Sequence, residues 1–256
     1  MPECRVYRVN LLRTELLELL VCGFRVRGTL CLPEKGRSVV FTVLHGLPST
    51  PEPVEQKGYL DLASLFTERG VAAALINLRG TGSSEGCFSL SNWAEDTVAC
   101  LRYLSSRLEG YKQYLIGSSA GGVVAIYVAA NNPNIKGVVS CSAPYTISPT
   151  AARLLVKRAL SAGVIRGDGR PDFIDRVILE ASNYAPQKWV RALAPRPILI
   201  AHGRLDELVP VEEAYKLYEA AQEPKKLLLL DAGHRLRANL ADAEKIIEEA
   251  LAFFNP

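Results

Sequence analysis

The chain carries Gly117-Ser118-Ser119-Ala120-Gly121 between two apolar runs. The run before it, Tyr114-Leu115-Ile116, is typical of a buried strand, and the run after it, residues 122–130, is typical of a buried helix. A Gly-x-Ser-x-Gly motif at a strand-to-helix turn holds its central residue at a strained positive φ, which only neighbours without bulk permit. The sequence therefore predicts that Ser119 projects from a sharp turn, where packing does not explain a serine.

The three histidines of the chain indicate where other reactive groups lie. His45, His202 and His234 each follow a strand-like apolar run, in a short loop beside a glycine. Groups at the carboxyl ends of parallel strands meet at one edge of an open α/β sheet, where active sites are built. A nucleophilic serine needs a base, and the base needs an orienting carboxylate. Asp206 lies between Ser119 and His234 in the chain, which gives the order Ser, Asp, His.

Four blocks of this sequence resemble the α/β-hydrolase superfamily, and more narrowly its small esterases, lipases and serine-aminopeptidase-like hydrolases. The blocks are His45-Gly46-Leu47-Pro48, residues 77–86, the Ser119 motif, and the Asp206 and His234 loops. The chain order Ser, Asp, His is also the order of that superfamily. The sequence departs from the commonest pattern at Asn77, where relatives often carry an aspartate. This departure leaves the Ser-Asp-His set complete.

The fold class that we expect is α/β, with a mostly parallel, doubly wound sheet of the α/β-hydrolase type. Strand-like and helix-like runs alternate from residue 39 to residue 254, which favours a parallel sheet covered on both faces. Residues 16–32 predict an N-terminal hairpin that turns at Cys22-Gly23. A helix is predicted over 92–108, with Asn92 and Glu95 as its capping box. One domain over residues 1–256 is expected, because such folds often reach this length undivided.

Residues 144–192 interrupt the alternation and are too long for an ordinary loop. We predict that they form a small inserted helical cap over Ser119, at the position where the resembled superfamily inserts one. The alternative is that their helices are peripheral and only stabilise the fold. The helix predicted over 151–160 has an apolar stripe at Ala151, Leu154, Leu155 and Ala159, and residues 173–179 predict a second helix. The apolar side chains that we expect to line an acyl or aromatic pocket are Leu154, Leu155, Phe173 and Ile174.

The resemblance implies a catalytic role for each of the three residues. Ser119 is the expected nucleophile, and His234 is the expected general base that takes its proton. Asp206 is expected to orient His234 and to stabilise its charged form. Glu207 is the only serious substitute for the acid, and Asp206 is preferred because it follows His202 by four residues, as in the family pattern.

Two backbone N–H groups are expected to stabilise the oxyanion that forms when the serine attacks a carbonyl. Ala120 supplies the N–H directly after the nucleophile, and Leu47, in the loop after strand 39–44, supplies the second. His45 is interpreted as a brace for that loop. His202 is interpreted as a brace for the loop that carries the acid.

Residues 80–86 have a second interpretation, as a phosphate-binding loop. They follow a strand, but Glu85 stands where the third glycine of Gly-x-Gly-x-x-Gly is required, and no helix starts directly after them. The chain also contains no Gly-x₄-Gly-Lys-Ser/Thr motif. A tight connection held by Arg79 is therefore the preferred interpretation.

Composition narrows the possible partners. The net charge of +3 is mild and spread along the chain, so neither nucleic acid nor a membrane surface is an expected partner. Charged residues interrupt the N-terminal apolar runs, and no run approaches the roughly 18 apolar residues of a membrane span. A soluble, cytoplasmic protein is expected. The six cysteines lack zinc-ligand spacing and are interpreted as buried free thiols, with disulfides as the alternative.

The function that we predict is hydrolysis of a small or medium carboxylic ester through an acyl-enzyme, with no metal and no other cofactor. The alternative within enzymes is a serine peptidase of the aminopeptidase or acyl-peptide type, which would act on short peptides. A binding module without catalysis is the alternative outside enzymes, and it would predict a damaged triad. All three triad residues are present.

Overall fold

The computed structural model describes residues 6–9, 12–56 and 58–256. The described chain is built around one nine-stranded sheet. Its strands are β1 (Val6–Val9), β2 (Leu12–Val21), β3 (Phe24–Leu32), β4 (Val39–Leu44), β5 (Ala72–Asn77), β6 (Lys112–Ser118), β7 (Ile135–Cys141), β8 (Ile198–Gly203) and β9 (Lys225–Leu230).

The strands lie in the order β1-β2-β3-β5-β4-β6-β7-β8-β9. The pairings β1–β2, β2–β3 and β3–β5 are antiparallel, whereas every pairing from β5 to β9 is parallel. Both β4 and β5 are buried along their whole length, as strands covered on both faces should be. The mostly parallel α/β sheet predicted from the sequence is confirmed.

The N-terminal hairpin is formed by β2 and β3. It turns at Cys22 and Gly23, whose φ angles are 49° and 85°. Two successive residues with positive φ are typical of the type I′ turn, which suits the twist of a two-residue hairpin. The predicted hairpin is confirmed, and β1 adds a further antiparallel strand that the sequence analysis did not predict.

Helices cover both faces of the sheet. On one face, α1 and α7 enclose a core that contains Phe41, Phe66 and Ile247. On the other face, α2 and α3 contribute Trp93 and Ile126 to a second core. The α-helices of the described chain are α1 (Tyr59–Glu68), α2 (Leu90–Arg107), α3 (Ala120–Ala130), α4 (Pro149–Ser161), α5 (Phe173–Ala181), α6 (Val211–Ala220) and α7 (Leu240–Phe254).

The beginning of α2 differs from the prediction. The capping residue is Ser89, whose hydroxyl accepts a hydrogen bond from the Asn92 N–H at 2.9 Å. Asn92 lies inside the first turn, where its side-chain amide donates to the Cys87 carbonyl at 2.9 Å. The capping box predicted at Asn92 and Glu95 is therefore wrong, because the serine three residues earlier already satisfies the free N–H.

The loop after β5 is held down by Arg79, as predicted. Its backbone N–H and its Nε donate to the two carboxylate oxygens of Asp96 in α2, at 2.7 and 2.5 Å. Its Nη2 donates to both the Asn92 carbonyl and the Glu95 carboxylate, at 2.8 and 2.6 Å. The loop is therefore fixed by a buried ion pair to the helix that follows it.

Asn77 at the end of β5 connects this part of the sheet to the segment before α1. Its side-chain oxygen accepts from the Val54 N–H at 2.8 Å, and its side-chain nitrogen donates to a Glu55 carboxylate oxygen at 3.1 Å. An aspartate at this position could accept from Val54 but could not donate to Glu55. The asparagine that departs from the family pattern thus makes a hydrogen bond to Glu55 that an aspartate could not make.

Residues 144–192 contain α4 and α5, near the predicted bounds of both helices. Val156 of α4 and Val177 of α5 are buried in the same core as α2 and α3. After α5, Tyr184 and Trp189 pack against Tyr127 of α3, with ring centroids 4.5 and 5.0 Å away. Much of this segment is therefore packed on the core, and its role as a cap stays a prediction.

Five cysteines lie in the described ranges, and all five are free thiols. Cys31, Cys100 and Cys141 are buried, and this burial raises the pKa of each thiol to about 12. Cys22 is exposed. Cys4 lies outside the described residues.

Candidate active site

Ser119 lies at the turn between β6 and α3, with φ of 53° and ψ of −119°. Its N–H donates to the Cys141 carbonyl at 2.8 Å, which fixes the turn against β7. A Cβ on Gly117 would overlap the Gly121 carbonyl oxygen, and a Cβ on Gly121 would overlap the carbonyl oxygens at the end of β4. Only glycine fits at either position, so the motif produces the sharp turn expected of a nucleophile elbow.

His234, in the loop after β9, contacts the Asp206 carboxylate through Nδ1. The distances from Nδ1 to Oδ1 and Oδ2 of Asp206 are 3.0 and 2.8 Å. The Asp206 side chain is completely buried, and the His234 side chain is 15% exposed. Because Nδ1 donates to the carboxylate, Nε2 of the neutral imidazole is left without a proton and can accept one.

The Asp206 carboxylate is held in its ionised form by donors from its own loop. Its Oδ1 accepts from the N–H groups of Leu208 and Val209, at 2.9 and 2.8 Å. His202 Nε2 lies 3.3 Å from Oδ2. Burial by itself raises the pKa of Asp206, but the hydrogen bonds from His202, His234 and Val209 outweigh it and hold the pKa well below its usual range.

Two other acids, Glu207 beside Asp206 and Asp231 shortly before His234, are exposed. Glu207 is the alternative acid, and Asp231 pairs with Arg204, with 3.4 Å between Nε and Oδ1. His202 is fully buried and its Nε2 lies 2.9 Å from the Val209 carbonyl, so it braces the acid loop as interpreted from the sequence.

The loop after β4 is braced by His45, which is buried. Its Nδ1 donates to the Gly46 carbonyl at 2.7 Å, and its Nε2 accepts from the Leu78 N–H at 3.1 Å. Gly46 lies directly against the elbow, because a Cβ there would be 3.1 Å from the Ser119 Cβ. The loop can approach the serine this closely only with glycine at that position.

Ala120 follows Ser119 directly as the first residue of α3, and Leu47, in the loop after β4, lines the same cavity as Ser119. No group of the described residues accepts a hydrogen bond from the N–H of either one. Two unengaged backbone donors beside a serine are the arrangement that an oxyanion hole requires.

A cavity of about 420 Å³ opens onto these groups. Ser119 and His234 both line it, together with residues 45–49 of the loop after β4. The lining also includes Val54, Tyr59, Asn77 and Thr81, residues Leu155, Arg158, Ala159 and Ala162 in and directly after α4, and residues Leu208, Val209, Arg235 and Arg237 from the loops after β8 and β9.

The predicted pocket residues divide into two groups. Leu155 lines the cavity. Of the others, Leu154 is half exposed on a different side of α4, Phe173 is buried in the core, and Ile174 packs against that core, and none of these three is among the described lining residues. The pocket prediction is therefore wrong for Leu154, Phe173 and Ile174.

The reason is the orientation of α4. Its buried residues are Val156 and Ala159, whereas Ala151, Leu154 and Leu155 are exposed. Of the predicted stripe, only Ala159 is therefore part of the core. Leu155 and Ala159, one turn apart, both line the cavity.

Sequence analysis missed the charged part of the lining. Arg158, Arg235 and Arg237 lie on α4 and on the segment after His234, and they line the cavity with Asn77. No local pattern marks these residues, because two separate parts of the chain bring them together.

Within the described ranges, no three side chains of His, Cys, Asp or Glu lie together as metal ligands would. In the same ranges, no helix combines the length and the apolar character that crossing a bilayer requires.

Comparison with known proteins places this architecture among related chains. The family model described as "Serine aminopeptidase, S33" matches residues 42–166, which include Ser119 but end before Asp206 and His234. The Escherichia coli O157:H7 protein named "Uncharacterized protein YfhR" is 24% identical over 244 residues, which cover 93% of this chain and 78% of that protein.

Solved structures of two esterase-named or related proteins have a fold similar to that of this chain. The esterase domain of a Rhodothermus marinus protein is 26% identical with a TM-score of 0.70, and the alignment covers 94% of this chain and 98% of that domain. Est1E from Butyrivibrio proteoclasticus is 19% identical with a TM-score of 0.74, over 94% of this chain and 100% of that one. The sheet order, the elbow and these similarities together show that the chain has the α/β-hydrolase fold.

Proposed function

We propose that this α/β-hydrolase is a serine hydrolase that cleaves small or medium carboxylic esters through an acyl-enzyme. The observation that carries the proposal is the shared cavity of Ser119 and His234, with His234 held by the buried Asp206 carboxylate. A strained serine, an oriented imidazole and a buried carboxylate are the three parts of the Ser-His-Asp mechanism.

The chemistry starts with attack of Ser119 Oγ on the ester carbonyl, while His234 Nε2 accepts the hydroxyl proton. The carbonyl oxygen becomes an oxyanion, which the N–H groups of Leu47 and Ala120 stabilise. When the intermediate collapses, the bond to the alcohol oxygen breaks, and His234 gives its proton to that oxygen. The acyl group remains on Ser119.

Water completes the cycle. His234 takes one proton of a water molecule, whose oxygen attacks the acyl carbonyl and forms a second oxyanion at the same donors. Collapse breaks the bond to Ser119 Oγ, and His234 returns the proton to it. Asp206 stays ionised throughout and stabilises the imidazolium that forms in both halves of the reaction.

The peptidase alternative is supported by the description of the matching family model, which names a serine aminopeptidase. An aminopeptidase must bind the ammonium group of its substrate, and a carboxylate is the side chain that suits this group. The described residues that line the cavity include no Asp or Glu. An ester substrate is therefore the first choice, and the Rhodothermus marinus relative is named for an esterase domain.

An activated serine can be tested with a fluorophosphonate probe. The probe should label the intact protein and should fail to label Ser119→Ala, because it reacts with a serine whose hydroxyl is activated by a base. Ser118→Ala is the matched control, since it changes the neighbouring serine, and it should keep the label. Labelling that persists in Ser119→Ala and disappears in Ser118→Ala would contradict the proposal.

Substrate class is tested in parallel. 4-Nitrophenyl esters of graded chain length should be hydrolysed faster than aminoacyl and acyl-peptide 4-nitroanilides. If the anilides are the better substrates by kcat/KM, the peptidase alternative replaces the ester proposal.

A further inference from the structure

The charged side chains around the cavity have one sign. Arg158, Arg235 and Arg237 line it, and no Asp or Glu is among its described lining residues. The chain as a whole has 30 Lys and Arg against 27 Asp and Glu, so composition alone would place both signs there. The positive charge is thus concentrated beside Ser119 and His234.

Arg237 is held in a defined place by an aromatic ring. Its guanidinium carbon lies 4.1 Å from the centroid of the buried Tyr59 ring. A guanidinium stacked on a ring keeps its charge. Arg237 follows His234 by three residues in the same segment, so this fixed charge lines the same cavity as His234.

Arg158 and Arg235 form no ion pair with any carboxylate of the described chain. Nearby arginines outside the cavity behave differently. Arg153 on the same helix pairs with Asp175 at 2.6 Å, and Arg204 pairs with Asp231 at 3.4 Å. The two cavity arginines therefore have their donors available to a ligand.

The nearest acids are kept out of the lining. The Asp206 carboxylate is buried behind His234 and engaged by it. The Glu55 carboxylate accepts from Asn77 Nδ2 at 3.1 Å and from Thr29 Oγ1 at 3.0 Å, so the cavity wall presents the neutral Asn77 in front of it. Neither of these two carboxylates pairs with Arg158 or Arg235.

We infer that the preferred ester carries an anionic group, a carboxylate or a phosphate, which the arginines at the cavity mouth bind while the ester carbonyl lies at Ser119. A cleft lined by charge of one sign concentrates ions of the opposite sign and speeds their association. Guanidinium groups also match carboxylate and phosphate oxygens in pairs of parallel hydrogen bonds. The inference rests on the proposed esterase function and specifies its substrate class.

A matched pair of substrates tests the inference. Mono-4-nitrophenyl glutarate carries a carboxylate where 4-nitrophenyl pentanoate carries a methyl group, and the two acyl chains have the same length. After subtraction of spontaneous hydrolysis, kcat/KM should favour the glutarate ester by about tenfold at low salt, and the preference should shrink as salt screens the exposed charges.

Variants identify the groups responsible. Arg158→Gln and Arg235→Gln should each lower the glutarate-to-pentanoate ratio by about two- to fivefold, as expected for exposed charges. Arg153→Gln is the matched control, because Arg153 lies on the same helix as Arg158 and outside the cavity, and it should leave the ratio unchanged.

Inhibition distinguishes a carboxylate from a phosphate as the preferred anionic group. Glutarate and inorganic phosphate are added separately during pentanoate hydrolysis, and the anion that inhibits at the lower concentration has the preferred chemistry.

The outcomes separate the two proposals. If both esters are hydrolysed, the ratio is near one, no variant changes it and neither anion competes, the inference is overturned and the esterase function stands. If neither ester is hydrolysed, the esterase function fails and the inference fails with it. A preference that salt weakens and that Arg158→Gln and Arg235→Gln reduce supports both.

Discussion

Ser119 keeps a backbone conformation that costs free energy. A φ of 53° in a residue other than glycine costs about 1–3 kcal/mol and persists only where the surroundings enforce it. The N–H of Ser119 is fixed to β7, and the elbow leaves no space for a Cβ at Gly117 or Gly121. The motif predicts this turn because all the residues that enforce it are adjacent in the sequence. The sequence did not indicate that Gly122 is also required, although a Cβ added there would lie 2.9 Å from the Ala143 Cβ.

The base and the acid are expected to act as one unit. His234→Ala and Asp206→Asn should each lower kcat by about 10⁴, because the first removes the proton acceptor and the second removes the charge that orients it. The measurement is steady-state turnover of a 4-nitrophenyl ester. Glu207→Gln is the matched control, since Glu207 is adjacent to Asp206 and exposed, and it should retain turnover. A large loss in Glu207→Gln with little loss in Asp206→Asn would move the acid to Glu207.

The pH dependence follows from the same pair. Activity should fall as pH is lowered, because protonated His234 cannot accept the serine proton. The pKa of Asp206 is held well below its usual range by its hydrogen bonds, so Asp206 stays ionised while His234 takes up its proton. The logarithm of kcat/KM should therefore rise with a slope of about one on the acid side, as one ionisation requires. A slope of two would show that a second group titrates with His234.

The same shift has a consequence for stability. A carboxylate whose pKa is depressed in the folded state contributes stability above its unfolded pKa of about 3.9. That contribution decreases as pH falls below the unfolded pKa, and it is lost completely once pH has fallen through the lower, folded value. Loss of activity at pH values above the unfolded pKa should therefore be reversible and should precede unfolding.

The observed helices and strands match the predictions where short, contiguous stretches of sequence define them. The bounds of β3 and β4 and the turn of the hairpin are those predicted, because apolar runs and a Cys-Gly turn define them. The first strand of the hairpin begins at Leu12, before the predicted start at residue 16. The buried side of α4 does not coincide with its apolar stripe, because a short helix with apolar residues on several sides can pack in more than one way. Which side faces the core depends on α5 and the rest of the fold, which local periodicity does not contain.

Leu155 and Leu154 provide a matched test of α4 as part of the pocket. Leu155 lines the cavity and its neighbour Leu154 does not. Leu155→Ala should change the ratio of kcat/KM for long and short acyl esters, and apolar pocket contacts of this size are worth about 1–3 kcal/mol. Leu154→Ala should leave the ratio at its wild-type value. Equal ratios in the wild-type protein and both variants would indicate that α4 only stabilises the fold and does not act as a cap.

The candidate active site depends on the order of the strands in the whole sheet. His45 follows β4, Ser119 follows β6, Asp206 follows β8 and His234 follows β9, so four separate loops meet at one edge. The alternation of strands and helices predicts that these loops share an edge. It does not predict that β5 lies between β3 and β4, nor which side chains line the cavity between the loops, since both depend on contacts between distant parts of the chain.

The buried ion pair of Arg79 and Asp96 links that edge to the helical layer. Both side chains are almost completely buried, at 2% and 0% exposed. Asp96→Ala would leave the Arg79 guanidinium in the interior with only the half-exposed Glu95 as a carboxylate partner. Breaking such a pair by removing one partner should lower the free energy of unfolding by about 3–5 kcal/mol, because the remaining buried charge is no longer compensated.

Denaturant unfolding measures this loss, and an exposed pair on the same molecule provides the control. Asp175→Ala removes the partner of Arg153, where both side chains are more than half exposed, and should cost less than about 1 kcal/mol. If the two variants lose the same free energy, the Arg79 pair does not hold the loop after β5. If Asp96→Ala is the less stable by the expected margin and still reacts with a fluorophosphonate when folded, the pair stabilises the framework around the cavity without taking part in the chemistry at Ser119.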